Sequence, residues 1–317
     1  MILNEITLPL LAWFTLVEAT FIIGGLVGWY IKKKYFSPPK NESEFSIGIY
    51  IGPNPLSMSP ANKNPVLTKE DVTDKKAAYV ADPFMIKVKD IWYMFFEVRS
   101  AGSYLTELAY ATSLDGFNWT YQKIIQPDSF FQSYPYVFEW QGDYYMIPEC
   151  NKSKSIRIYK AKNFPEEWVL DSTVVSGKDY VDPSILRYNN KWWIFASTAN
   201  NSVLYLCYSD NLNGPWKEHP LSPVIKEDKR IARPAGRVIE YQGNLYRFAQ
   251  DCKDYYGSKV IAFKILKLTE TEYEEAEEKV VLEAGDLGWN SKGMHTFDTH
   301  QLEDGTWIAC VDGYRKI

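Results

Sequence analysis

SYPYVFEWQGDYYMIPE, residues 133–149, decides the fold. Two apolar, aromatic-rich runs flank the polar pair Gln141 and Gly142, which is the signature of a tight β-hairpin. The same design returns as ADPFMIKVKDIWYMFFE (81–97), VDPSILRYNNKWWIFAS (181–197), RPAGRVIEYQGNLYRFAQ (233–250) and FDTHQLEDGTWIACVD (297–312). With Asp90, Gly142, Asn190, Gly243 and Gly305 as register marks, the intervals are 52, 48, 53 and 62 residues. A period of about fifty matches a four-stranded propeller blade. A third strand recurs in ELAYATSLDGFNW, SIRIYKAKNFPEEW and VLYLCYSDNLNGPW, where Tyr110, Tyr159 and Tyr208 fall 49 residues apart and a turn leads to Trp119, Trp168 or Trp216. Helical periodicity is absent except weakly around Thr269 to Lys279, so an α/β fold has no crossover helices to use. The expected fold class is all-β: one five-bladed β-propeller over residues 46–317, whose radial closure protects its strand edges.

Composition agrees and narrows the function. The 317 residues are 46% hydrophobic and 24% charged, enough for a large core. A net charge of -5 offers no broad cationic surface for a phosphate backbone, so no nucleic-acid partner is expected. Aromatics at 16% favour strands and supply flat apolar faces suited to sugars. The four cysteines, Cys150, Cys207, Cys252 and Cys310, form no CxxC pair and read as packed, reduced thiols.

Ahead of the repeat, residues 10–31 (LLAWFTLVEATFIIGGLVGWYI) are long enough to span a bilayer. Lys32, Lys33 and Lys34 follow and no lysine or arginine precedes, which predicts a single-pass anchor with the propeller in the cytoplasm. Glu18 inside the span should face a partner helix, and Gly24 with Gly28 forms a GxxxG spacing. Residues 1–35 are thus expected to be a transmembrane anchor, and residues 36–45 (FSPPKNESEF) a stiff polar linker.

In a propeller the inner strand of each blade starts, and the second strand ends, at the same face of the axis. Inner-strand starts are Asp82, Tyr134, Asp182, Arg233 and the region from His295 to Asp298; second-strand ends are Glu97, Glu149, Ser197, Gln250 with Asp251, and Asp312. Carboxylates, an arginine, amides and rings converging there make the chemistry of sugar recognition, since hydroxyls need paired donors and acceptors. Arg233 and Arg237 suit a substrate carboxylate or phosphate through forked hydrogen bonding. His295, Asp298 and His300 carry metal-ligating atoms, but a hydrogen-bonded strand-edge cluster is the reading preferred; no metal or cofactor is called for.

At ADPF, SYPYVFEWQGDYYMIPE, VDPS, ARPAGR, RFAQDC, GMHTFD and WIACVDG, from about Ser46 to Gly313, the sequence resembles the propeller-like N-terminal region of plant glucosamine inositolphosphorylceramide transferases and bacterial relatives. More distantly it resembles the family 43 glycoside hydrolases. The resemblance implies a five-bladed propeller in glycan or glycolipid metabolism. In the plant-type transferases sugar transfer belongs to a separate C-terminal domain, and the expectation is that this chain does not carry that activity. The hydrolase resemblance implies a base, a pKa-modulating aspartate and a glutamic acid at the first three inner-strand starts. Asp82 matches the base, Tyr134 stands where the modulator belongs, and Asp182 stands where the acid belongs. Asp182 or Glu149 would have to serve as the acid, with its pKa raised against the neighbouring charge of Arg233.

Two functions follow. One is a membrane-anchored propeller that binds a carbohydrate or glycolipid beside a separate glycosyltransferase, with Tyr134, Arg233, Arg237, Gln250, Asp251, His295 and Asp298 as binding residues. The other is an inverting glycoside hydrolase using Asp82, Asp182 and Glu149. Loss of the second-blade aspartate favours the first.

Overall fold

The computed structural model describes Gly24 and residues 43–316 except 104, 126–130 and 287. The expected anchor and most of the expected linker lie outside the described residues. Among the described residues no helix is long and apolar enough to cross a membrane.

The chain enters with β1 (Ser43–Asn54) and β2 (Ser57–Pro60). Blade one follows as β3 (Ala77–Val88), β4 (Ile91–Ser100), β5 (Thr106–Ser113) and β6 (Thr120–Ile124). Blade two is β7 (Ser133–Trp140), β8 (Asp143–Glu149), β9 (Ser155–Asn163) and β10 (Glu167–Ser176). Blade three is β11 (Tyr180–Tyr188), β12 (Lys191–Thr198), β13 (Tyr205–Ser209) and β14 (Lys217–Glu218). In blade four the inner strand is broken into β15 (Arg233–Pro234) and β16 (Ile239–Tyr241), both paired with β17 (Asn244–Gln250), and then come β18 (Lys259–Leu268) and β19 (Tyr273–Glu283). Blade five takes β20 (Phe297–Gln301) and β21 (Trp307–Lys316) from the C-terminal end and completes itself with β1 and β2. The five sheets make the expected all-β, five-bladed propeller.

Closure of the ring is the part the repeat does not announce. β1 runs antiparallel to β21 in unbroken register from Ser43 opposite Lys316 to Gly52 opposite Trp307. Ser43 to Phe45, expected in the linker, are therefore strand residues of blade five. The weakly helical stretch at 269–279 belongs to a turn and to β19, whose alternating contacts with β18 override the local pattern.

Local chemistry explains the elements. Gln141 with Gly142, Asn189 with Asn190, and Gln242 with Gly243 all take positive φ, as two-residue hairpin turns with the twist of the flanking strands require. The recurrent tryptophans close the turn between third and fourth strands: the indole N–H donates to the Gly116 carbonyl from Trp119 at 2.9 Å, to Pro165 from Trp168 at 2.8 Å and to Leu212 from Trp216 at 3.0 Å. The cores lie between neighbouring blades. Ile47, Ile49 and Ile308 of blade five pack with Met85, Met94 and Phe96 of blade one, and Phe248 of blade four packs with Phe297 and Val311 of blade five.

Candidate functional site

Three inner strands begin with one device. Asp82, Tyr134 and Asp182 each precede a proline, each takes positive φ (54°, 49° and 49°), and each sits in a register break against the second strand. A non-glycine residue rarely adopts this conformation, and a following proline restricts it further, so packing must hold it. The bulge re-aims the side chain out of the sheet alternation and toward the axis. In blade four Arg233 also precedes a proline but pairs directly with Gln250, the position that Ala81, Ser133 and Val181 hold in the first three blades.

The side chains form a buried ionic cluster around the axis. Arg233 Nε donates to Asp182 Oδ2 at 2.6 Å and Nη2 to Oδ1 at 3.1 Å, while Nη1 reaches Asn201 Oδ1 at 2.8 Å. Gln250 Nε2 donates to Asp182 Oδ2 at 2.5 Å and to the Pro234 carbonyl at 2.8 Å. Arg233 Nη2 also stands 3.5 Å from Glu149 Oε2. Across the axis, the Asp82 N–H donates to Asp312 Oδ2 at 2.9 Å, and Thr296 Oγ1 donates to Asp82 Oδ1 at 3.0 Å. His295 Nδ1 donates to Asp312 Oδ1 at 2.7 Å. The cluster is little exposed: the side chains of Arg233 and Asp82 are 12% and 11% exposed.

Burial sets the protonation pattern. Desolvation, reinforced by the charge of Asp182, holds Glu149 well above the usual carboxylate range, so burial outweighs the opposing charge of Arg233. Glu97, buried beside Tyr79, rises to about 8 through desolvation and the negative charge of Asp82. Asp82 itself rises to about 6 through desolvation and the charges of Asp182 and Asp312, against the lowering effect of His295. For His295 desolvation pulls downward, but Asp312 and Asp82 win and lift the imidazole to about 9. At neutral pH the ring thus holds an ionised Asp82, a protonated Glu97 and an imidazolium, with Glu149 pushed toward its protonated form.

Asp82, His295 and Asp312 bring ligand atoms within 4.8 Å of one another. Asp312 nevertheless accepts four hydrogen bonds, from the N–H groups of Asp82, His295 and Thr296 and from His295 Nδ1, and an imidazolium has no lone pair to give a metal. The donor set suits a charged hydrogen-bonded hub.

The structure brings Asp82, Asp182, Glu149, Arg233, Gln250 and His295 together, while Tyr134, Arg237, Asp298 and Asp251 make side-chain hydrogen bonds to other partners. Tyr134 is fully buried, with its hydroxyl 2.9 Å from Ser184 Oγ and its ring edge-on to Phe84, so it supports the site from below. Arg237 and Asp298 form a second hub. Arg237 Nε donates to Asp298 Oδ1 at 2.8 Å and Nη2 to the Val137 carbonyl at 2.9 Å, over the ring of Tyr136. Asp298 Oδ2 accepts the Met85 N–H at 2.8 Å and bonds His300 Nε2 at 2.9 Å. Despite desolvation, Arg237 and His300 hold Asp298 below its ordinary range. Both side chains tie blades one, two, four and five together, so a substrate anion at Arg237 would share the guanidinium with Asp298. Asp251 shapes its own loop, accepting the Lys253 N–H at 2.9 Å.

Sequence reasoning missed Tyr256, whose ring lies 5.2 Å from the Arg233 guanidinium and edge-on to His295, and Phe45, stacked on His295 at 4.8 Å. Tyr256 sits in the 251–258 loop, which is longer than the matching loops of blades one to three, and Phe45 reads as linker until its pairing with Tyr314 is seen. Glu97 carried a signal, its place at a second-strand end.

Residues 38–314 match a family profile described as glucosamine inositolphosphorylceramide transferase 1, N-terminal. The chain is 34% identical to glucosamine inositolphosphorylceramide transferase 1 of Oryza sativa subsp. japonica over 93% of its length, covering 44% of the relative. It therefore spans less than half of that protein. Among solved structures, β-1,2-mannobiose phosphorylase from Listeria innocua superposes with a TM-score of 0.59 at 13% identity, over 85% of this chain and 97% of that one. The catalytic domain of a Coprinopsis cinerea α-L-arabinofuranosidase gives 0.57 at 13% identity, over 84% and 97%. At such identities these two structures speak for the fold alone.

Proposed function

The chain belongs to the family of glucosamine inositolphosphorylceramide transferase 1 N-terminal regions, and from that premise we propose that it is a membrane-anchored propeller that binds a glycan or glycolipid head group at its axial face, beside a separate glycosyltransferase. One observation carries the preference for binding over hydrolysis. Asp182, which stands at the acid position of the hydrolase pattern, has both carboxylate oxygens engaged by protein donors, the fork of Arg233 and the amide of Gln250. A carboxyl group so engaged is turned away from a leaving group, and general acid assistance is worth about 10²- to 10⁴-fold. Tyr134 supplies no charge in place of the missing aspartate.

Anchoring rests on the apolar run 10–31 and the three lysines after it, which also favour a cytoplasmic propeller. The partner is proposed from the names of the relatives alone, which carry a transferase activity. The hydrolase reading keeps one specific support: Asp82, shifted to about 6, is a fit base, and Glu149, raised well above its usual range, holds a proton.

A glycan- and glycolipid-array screen of the full chain in detergent tests the binding reading, with hits retested by calorimetry on Asp82→Ala. Glycan binding that weakens in Asp82→Ala is the expected result. An array without hits, or hits indifferent to Asp82→Ala in a folded protein, would remove the axial face from consideration.

A further inference from the structure

Charge is segregated along the axis of the propeller. At the end away from the axial cluster, each turn joins a first strand to a second or a third to a fourth. Those turns hold eight aspartates and glutamates, Asp115, Asp210, Glu303 and Asp304 among them, and Lys89 is their one lysine or arginine. The connections at the axial end hold twelve lysines and arginines against nine acids among the described residues. Lys152, Lys154, Lys253, Lys292 and Lys316 stand exposed at that end, and none forms an ion pair among the described residues. The carboxylates of the axial cluster, by contrast, are buried. Two rings join the lysines: Tyr255 and Tyr256 are 51% and 41% exposed, on a loop that the Tyr314 hydroxyl holds by donating to the Tyr256 carbonyl at 2.8 Å.

The chain enters the propeller at this same end. Ser43, the first residue of β1, pairs with Lys316, and residues 32–42 alone separate it from the apolar run 10–31. Those eleven residues reach at most about 40 Å when fully extended. A bilayer entered by the apolar run is therefore within reach of the axial end. Exposed lysines gain from an anionic lipid surface, and tyrosine rings settle at the head-group level, where one side is apolar and the other wet. The acidic far end is repelled by the same surface. A soluble acidic partner would use the lysines but gives the short tether no role. We propose that the axial end is a membrane-docking face, whose lysines hold the mouth of the axial site against an anionic bilayer by responding to surface charge and to no particular head group; the proposal rests on the anchoring reading and adds an orientation to it.

The test reconstitutes the full chain into bilayers of phosphatidylcholine alone, or mixed with phosphatidylserine or phosphatidylglycerol, and reads quenching by a lipid spin-labelled at its head group. A fluorophore is placed on Tyr255→Cys at the axial end or on Leu114→Cys, 81% exposed at the far end, the four native cysteines being buried. The Tyr255 probe should be quenched and the Leu114 probe should not. Quenching should grow with either anionic lipid and fade as ionic strength rises. Lys152→Ala/Lys154→Ala should lower the ratio of docked to undocked chain by about fivefold for each lysine, at unchanged melting temperature. Equal quenching of the two probes, quenching of Leu114 alone, or none at either would overturn the docking face. So would a response to one anionic head group and not the other, or indifference to the lysine variant. If alkaline carbonate strips the chain from the bilayer while Tyr255 is still quenched before extraction in a lysine-dependent way, the anchor falls and the face stands. A chain that resists carbonate with Tyr255 unquenched keeps the anchor and overturns the face.

Discussion

Arg233 grips Asp182 with two donors, Nε to Oδ2 at 2.6 Å and Nη2 to Oδ1 at 3.1 Å, and both side chains are almost wholly buried. The pair joins the inner-strand starts of blades three and four. Removing one partner would strand the other as an uncompensated buried charge, which costs about 3–5 kcal/mol. Arg233→Ala should therefore lose stability on that scale in chemical denaturation, and Arg233→Lys should recover only part of it, because an ammonium cannot fork. A stability change under about 1 kcal/mol would show that solvent, not Asp182, satisfies the arginine.

The pH dependence of stability has a definite sign. His295 titrates near 9 in the fold against 6.5 when free, so its contribution is complete below 6.5 and is lost as pH rises through 9. Glu97, near 8 against 4.5, likewise disfavours the fold once it must ionise, between 4.5 and 8. Both effects make unfolding free energy fall on the alkaline side, by an amount on the order of 3 kcal/mol for the histidine. Denaturation midpoints measured from pH 5 to 9.5 should fall, and His295→Gln should flatten the upper part of that slope while Glu97→Gln flattens the lower part. A wild-type midpoint that rises toward pH 9 would contradict the assigned protonation states.

Gly236, between β15 and β16, lies against the backbone of Phe297 in β20. A Cβ there would lie 1.9 Å from the Phe297 carbonyl oxygen, with φ at 149° besides. Because the obstacle is backbone rather than a yielding side chain, Gly236→Ala should cost upwards of about 3 kcal/mol. Gly142, with open space around its Cβ position, is the control: its φ of 82° alone penalises alanine, by about 1 kcal/mol. Equal melting temperatures for the two variants would refute the contact.

Ring closure makes a prediction of its own. Ile47 and Ile49 of β1 pack into the core shared by blades five and one, and ten consecutive residues of β1 pair with β21. Deleting residues 1–54 should leave β21 as an open apolar edge and give aggregated protein, whereas deleting 1–42 should leave melting of the propeller unaltered, as read by circular dichroism.

The blades were legible because each repeats the same hairpin, and the Asp-Pro, Tyr-Pro and Arg-Pro steps located the axial face. What was hidden depends on residues far apart in the chain. Phe45 becomes a wall of the site only through the pairing of β1 with β21, and polar composition on its N-terminal side argued for a linker. Arg237 looked free for a ligand because nothing local predicts that Asp298, 61 residues on, will take its Nε. Tyr134 shares a register with Asp82 and Asp182 but, as a large apolar ring, is drawn into the core that the shorter acids leave. Register told which end of each strand a residue occupies, and partner competition decided which of them face a ligand.

Catalysis is decided at Asp82. Its pKa near 6 leaves it ionised at neutral pH, so a competent hydrolase would show a bell-shaped profile with its acid limb near 6 and a basic limb set by the proton on Glu149. For Glu149 to act, that proton must leave toward the substrate, but Glu149 Oε1 accepts the Asn151 side-chain amide at 2.9 Å and Oε2 stands 3.5 Å from Arg233 Nη2. The acid is thus turned toward the protein. On this argument a panel of aryl glycosides should show no turnover, and Asp82→Asn should keep glycan affinity within a few-fold of wild type, since an amide retains the acceptor that Thr296 uses. Hydrolysis with that bell-shaped profile, abolished in Asp82→Asn at unchanged melting temperature, would establish the enzyme and overturn the binding module.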